Sequence, residues 1–325
     1  MNELGAINPY FFVVGCPRSG TTLLRRMLDA HPRLAMMPRE THFIPRIYER
    51  RAGLTAGGEV TPALVDELLA DRHFARLGIA REALEQLLTP EEPTPYARFV
   101  SGIFDLQGRA RERELVGDKT PGYVRHLPTL HILWPETRFL HLIRDGRDVC
   151  LSLLSWRKGP RLAGRFSSWA EDPVSTAALW WEWHVRLGRE DGWSLGPARY
   201  RELRYESLVS NPGRECLALC HFLGVSYDDA MLRFHRGRER AEPGRSAKGA
   251  WRPVTAGLRD WRTQMPVGDT ERFEAAAGAL LEELGYERAL PSPSPAATTR
   301  AAGLRERFAR ELAAREQTVP EVFAR

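Results

Sequence analysis

An α/β fold with a central parallel sheet and flanking helices is what this chain of 325 residues predicts, and three observations predict it. The apolar run Phe11-Phe-Val-Val14 passes through a turn holding Gly15, Pro17 and Gly20 into a segment of helical period. Two later apolar runs, leading to Lys119 and Arg144, also finish in charged, glycine-containing turns. Strands that alternate with helices in this way favour parallel pairing.

The length suits one large α/β domain or two small ones, and the pattern is read as one domain over 1–290 followed by a linker and charged tail at 291–325. No stretch reaches the roughly 18 apolar residues of a membrane helix, and the first residues lack a charged-then-apolar leader, so a cytoplasmic protein is expected. Cys16, Cys150, Cys216 and Cys220 have no His or Cys pair at metal-site spacing and are expected as buried small hydrophobes. The net charge of +5, mostly from arginine, suits an anionic small ligand. No basic tract interleaved with aromatics points to nucleic acid.

From Thr21 the period changes: Leu23, Leu24, Met27 and Leu28 share a helical face, and Pro32 ends the helix. Strand, glycine loop and helix together aim N–H groups and a positive helix end at an oxyanion, which makes Ser19, Gly20, Thr21 and Thr22 candidate phosphate contacts. Gly15 and Gly20 have the spacing of the loop G-x-x-x-x-G-K-[ST], but Thr21 stands where its lysine belongs. The cation, Arg18, sits inside the loop instead. The alternative is an ordinary turn with a solvated arginine.

Residues 40–51 read as a short helix with Glu40 or Thr41 at its start. A loop at 52–62, amphipathic helices at about 62–77 and 80–88, a proline-broken segment at 89–95 and a helix at 96–106 follow, as an insertion shaping the side of a second substrate. Residues 117–122 are a strand end running into a turn, and 138–143 an internal strand. A helix opens near Arg147, and another at about 173–190 packs Trp180, Trp181 and Trp183. A strand at 198–205 leads to a helix at 213–223. Residues 241–268 look like an ordered or ligand-gated loop, 270–284 a last amphipathic helix, 291–299 a linker and 304–316 a mobile tail or oligomer contact.

Ligands of such sheets sit at the carboxyl ends of the strands, so 15–22, Asp118-Lys119 and 144–152 should face one crevice. Pro17-Arg-Ser-Gly-Thr-Thr22 resembles the 5′-phosphosulfate loop of sulfotransferases that use 3′-phosphoadenosine 5′-phosphosulfate (PAPS). Arg144-Asp-Gly-Arg-Asp-Val-Cys-Leu-Ser152 resembles the segment that binds the 3′-phosphate of that donor, which implies Arg144 and Ser152 for this role. Without the family, an arginine at a strand end and a hydroxyl on the next helix can still converge on one phosphate. A salt-bridged turn is the alternative.

The stretch 17–46, with Met-Leu-Asp-Ala-His-Pro and Glu-Thr-His-Phe-Ile-Pro-Arg, looks like the N-terminal region of protein-tyrosine sulfotransferases and their bacterial relatives. That resemblance implies Glu40 as general base, Lys119 as stabiliser of the transferring group and Arg18 on the phosphosulfate. It further implies Tyr205, in Arg-Tyr-Glu-Ser-Leu, on the adenosine side and Arg252, in Trp-Arg-Pro-Val, on a donor phosphate. His42 stands where those enzymes carry an arginine beside the acceptor; Arg46 matches, and with it an anionic acceptor group. Glu40 has an alternative as a helix cap. Asp118 is read as structural, orienting Lys119 or capping a turn.

The implied activity is in-line transfer of a sulfuryl group to an acceptor hydroxyl on a sugar, lipid, phenolic metabolite or peptide tyrosine. Arg18 and Lys119 supply the positive charge, so no metal is expected. The competing readings are a P-loop kinase-like enzyme and a non-catalytic nucleotide sensor. The missing loop lysine counts against the first.

Overall fold

Five strands form one parallel sheet in the computed structural model, which describes residues 7–88, 92–156, 158–236, 253–255 and 257–316. They are β1 (Phe11–Val14), β2 (Leu34–Met36), β3 (Leu115–Lys119), β4 (Arg138–Ile143) and β5 (Tyr200–Arg204), in the spatial order β2-β3-β1-β4-β5. Phe12 of β1 lies opposite Asp118 on one side and Phe139 on the other. The chain leaves β1 for one half of the sheet and later crosses to the other, so β1 marks the switch point where such sheets open a crevice.

The strand residues alternate between two cores, as the pleat requires. Phe12, Val14, Val116 and Phe139 pack toward the helices Ile44–Arg50, Pro62–Ala70 and Tyr96–Arg109. Phe11, Val13, Leu140 and Leu142 pack toward Thr21–Asp29 and Pro212–Leu223. A third cluster, around Trp181 and Phe273, joins helices Gly146–Leu154, Pro173–Ser194 and Val267–Glu283.

Several expected elements are shorter or displaced. β2 was absent from the pattern because three residues show no period. The helix expected at 62–77 stops at Ala70, where Asp71 accepts the amides of His73 and Phe74 and opens a 3₁₀ turn, Phe74–Leu77. The helix expected at 80–88 covers Arg81–Glu85. The helix expected from residue 40 begins at Ile44 with Phe43 as its N-cap, so Glu40 is not its cap.

The charged tail is neither loose nor all surface. Helix Pro295–Glu316 starts inside the expected linker and buries Ala301, Leu304 and Phe308 against the third cluster. Phe308 stacks on Phe166 at 3.9 Å between ring centroids. Arg305 pairs with Glu182 at 2.6 Å and Arg307 with Glu171 at 2.8 Å. Low apolar content misled because the few apolar side chains all fall on one stripe.

All four cysteines are buried and unbridged. Among the described residues no helix is long and apolar enough to cross a membrane, and no cluster of three or more His, Cys, Asp or Glu is arranged around a metal position.

Candidate active site

The loop after β1 is held by close backbone approaches. A Cβ on Gly15 would lie 2.4 Å from the Leu142 carbonyl oxygen, and one on Gly20 would lie 2.4 Å from the Tyr205 ring. Their φ angles of +146° and +96° add a second reason for glycine. Arg18 between them has φ +82°, a conformation arginine adopts only when its surroundings impose it.

Gly20 caps the helix Thr21–Asp29, whose first turn has neither a side-chain cap nor an acidic residue. The first amides of a helix have no acceptor within it. The Ser19 hydroxyl is also buried without a partner. These donors form a cradle of the kind that receives an anion.

Arg18 crosses toward the next loop. Its Nε donates to Ser152 Oγ at 2.9 Å, and its guanidinium lies 4.6 Å from the centre of the Trp156 ring. Arg144 donates to Asp148 at 2.8 Å and lies 4.2 Å over the Tyr205 ring, while its Nε is buried without a partner. The salt-bridged turn is present, and it leaves the Arg144 Nε available to a further acceptor. Its frame is rigid: Trp181 Nε1 donates to the Arg144 carbonyl, and fully buried Arg147 ties Asp145 to Glu274.

Arg259 joins these residues and was missed in the sequence. Burial lowers the Arg18 pKa, and Arg259 and Arg144 lower it further; burial and Arg144 lower that of Arg259. Three guanidiniums therefore face one another with few carboxylates among them. Arg259 had no signal of its own, being one arginine in a segment with many. Arg252 lies outside the described residues.

On the other side of the cradle, Glu40 receives Lys119 Nζ on one oxygen and His42 Nε2 on the other, the latter at 3.0 Å. Burial alone would raise the Glu40 pKa; Lys119 and His42 outweigh it and bring it down to about 2. Lys119 is 8% exposed, so it is no surface lysine. The segment holding Glu40 is anchored from below: Thr41 N donates to Thr120 Oγ1 at 3.0 Å, and Thr41 Oγ1 shares a 2.7 Å hydrogen bond with Tyr123 OH.

Beside this pair opens a cavity of about 250 Å³, lined by His42, Pro45, Arg46, Glu49, Arg50, Thr120, Gly122, Tyr123, Arg125 and His126. Three of these ten residues are arginines and one is a glutamate. Arg46 is held by Asp71 at 2.9 Å, Glu49 accepts from Thr129 and shares a bond with His126, and Arg125 lies over the Trp183 ring. His42 has φ +52° and meets the His73 ring edge-on at 5.1 Å, so it is fixed at the cavity rim rather than packed in a core. The structure thus joins the sequence-predicted residues in two neighbouring groups, an arginine-lined cradle and the Glu40–Lys119 ion pair beside a cavity.

The chain is similar over 290 residues to protein-tyrosine sulfotransferase 2 of Gallus gallus, at 28% identity, covering 86% of this chain and 70% of the relative. It is 29% identical over 286 residues to the protein-tyrosine sulfotransferase of Drosophila melanogaster, of which it spans about half, 52%. Among solved structures it resembles the sulfotransferase domain of the Synechococcus PCC 7002 olefin synthase, with 26% identity, a TM-score of 0.54 and coverage of 86% of this chain and 94% of that one. The model of the sulfotransferase family matches residues 9–229, a span that starts just before β1 and contains the glycine cradle, Glu40, Lys119, Arg144, Ser152 and Tyr205. On that match the chain belongs to the sulfotransferase family.

Proposed function

We propose that the chain transfers the sulfuryl group of PAPS to a hydroxyl of an acceptor carrying negative charge, with Glu40 as general base. The observation that carries this reading is the place of Glu40, gripped by Lys119 and His42 between an anion cradle and a basic cavity. The unpartnered Ser19 hydroxyl and Arg144 Nε, together with the uncapped helix, fit a donor with an anion at each end. Ser19, Gly20, Thr21, Thr22 and Arg18 would hold its 5′ end; Arg144, Ser152 and Arg259 would hold its 3′-phosphate; Tyr205 borders the space between. When bound, the donor supplies a sulfuryl group on a phosphate leaving group.

The chain's own residues do the rest. Glu40 accepts the acceptor proton, while Lys119 and Arg18 offset charge on the departing oxygens. Lys119 is the strongest of the influences lowering Glu40, so turning its ammonium toward the donor makes Glu40 a better base. His42 holds the second carboxylate oxygen and with it the orientation.

Arg46, Arg50 and Arg125 outnumber the single carboxylate of the cavity wall, which supports an anionic acceptor. The relatives are named for protein tyrosine, so a tyrosine peptide is the first acceptor to test. The experiment offers PAPS with a tyrosine peptide of acidic flanks, the same peptide with neutral flanks and a phenolic carboxylate, reading the mass gain of one sulfuryl group. An anionic acceptor should lead, and Glu40→Gln should lower its turnover by about two to four decades while keeping the fold and nucleotide binding. Preference for the neutral peptide would refute the acceptor class. A wild-type rate in Glu40→Gln would refute the base.

A further inference from the structure

Asp118 is a carboxyl group in an expensive place. It is fully buried in β3, and neither oxygen has a hydrogen-bond partner of ordinary geometry. A buried, unsatisfied carboxylate is destabilising, so its presence calls for a compensating role. Asp118 and Thr120 alternate with Lys119 along the chain, which places them on the face opposite the lysine. The Thr120 oxygen accepts the Thr41 amide at 3.0 Å, leaving its own proton free to point at Asp118. Glu40 is the residue before Thr41.

We propose that Asp118 is a positioning residue for the Glu40–Lys119 pair, acting through the Thr120 hydroxyl and the Thr41 amide to set where Glu40 meets the lysine. The carboxylate turns the Thr120 proton toward itself, which presents the Thr120 lone pairs to Thr41 N–H. The Tyr123 hydroxyl, bonded to Thr41 Oγ1 and to the Ile44 amide, closes the other side of the same anchor. The charged and titratable groups facing Asp118 are Glu40, Lys119, His42 and Tyr123. Burial raises the Asp118 pKa to about 6; the Thr120 hydroxyl, Lys119 and His42 pull it down while Glu40 pushes it up. The sign for stability follows. A carboxyl raised on folding contributes nothing adverse below its unfolded pKa and destabilises increasingly as pH rises through about 6.

The proposal rests on Glu40 and Lys119 being the reacting pair, so the test reads their geometry instead of turnover. In the protein loaded with adenosine 3′,5′-bisphosphate, competitive acetylation of Lys119 by acetic anhydride is followed by mass spectrometry. Asp118→Ala and Thr120→Val should each raise Lys119 labelling at least fivefold with nucleotide affinity unchanged within twofold. Thr120→Ser should return labelling to the wild-type level. Asp118→Asn should be more stable than wild type at pH 8, with the difference vanishing near pH 4. Unchanged labelling in Thr120→Val overturns the relay. So does labelling that rises only in step with lost nucleotide affinity, the mark of general loosening. An Asp118→Asn less stable than wild type at both pH values makes the carboxyl an ordinary structural anchor and overturns the proposal as well. If Asp118→Ala does not fold, the Thr120 pair decides alone. A failed Glu40 base would leave the labelling results standing, so the two failures are distinguishable.

Discussion

Arg144 rests one guanidinium edge on Asp148 and its flat face on Tyr205, which leaves Nε free and buried. A residue so placed loses little conformational freedom when an anion arrives. Arg144→Ala should therefore weaken binding of adenosine 3′,5′-bisphosphate by about 2 kcal/mol, the scale of a charge-assisted contact. Adenosine 5′-monophosphate, lacking the 3′ group, should lose much less, and titration calorimetry with both nucleotides separates the cases. Equal losses would remove Arg144 from the 3′ site. Glu40 gives a second test at this scale, because its pKa is depressed to about 2. A depressed carboxyl contributes stability above its unfolded pKa that is lost as pH falls toward the folded one. The melting temperature of Glu40→Gln should lie below wild type at pH 7 and approach it between about pH 4.5 and pH 2. A gap independent of pH would mean that the ion pairs to Lys119 and His42 contribute nothing.

At the scale of elements, what was legible is what has a period or a forced geometry. The strand–loop–helix at β1 could be read because glycines stand where the backbone touches Leu142 and Tyr205 and no side chain fits. The crevice followed from it, since parallel strands end on one side. β2 and the broken helix at 62–77 were not legible: three residues carry no period, and a single Asp71 turn ends a helix without proline or glycine. Arg259 was hidden for another reason, being brought to the site by the fold rather than by a neighbouring motif. The last helix shows the same limit. Phe308 stacks on Phe166 and touches Trp183, contacts separated by more than a hundred residues. Phe308→Ala should lower stability by about 3 kcal/mol, the scale for removing a buried aromatic, measured by denaturant unfolding. A loss below about 0.5 kcal/mol, the range of surface substitutions, would return the helix to the status of a loose tail.

At the scale of the whole molecule, three segments far apart in sequence deliver Arg18, Arg144 and Arg259 to one crevice, where Arg144 and Arg259 lower the pKa of Arg18 and Arg144 lowers that of Arg259. Mutual repulsion of this kind destabilises the ligand-free protein and is relieved when a polyanion binds, so the same charges that weaken the empty state strengthen the bound one. Arg259 is the one to remove, because it is partly exposed and its favourable interactions are a 3.3 Å contact with Ser155 and the attraction of Asp148 and Tyr205. Arg259→Gln should raise the melting temperature of the ligand-free protein by roughly 1–2 °C. The same variant should reduce the further rise produced by saturating adenosine 3′,5′-bisphosphate, since one contact to the ligand is gone. Added sodium chloride provides an independent arm. Screening should stabilise the ligand-free wild type more than the variant, because the variant has less repulsion to screen. A ligand-free variant that melts below wild type, with an unchanged nucleotide response, would show that Arg259 holds the fold together and does not belong to the anion site.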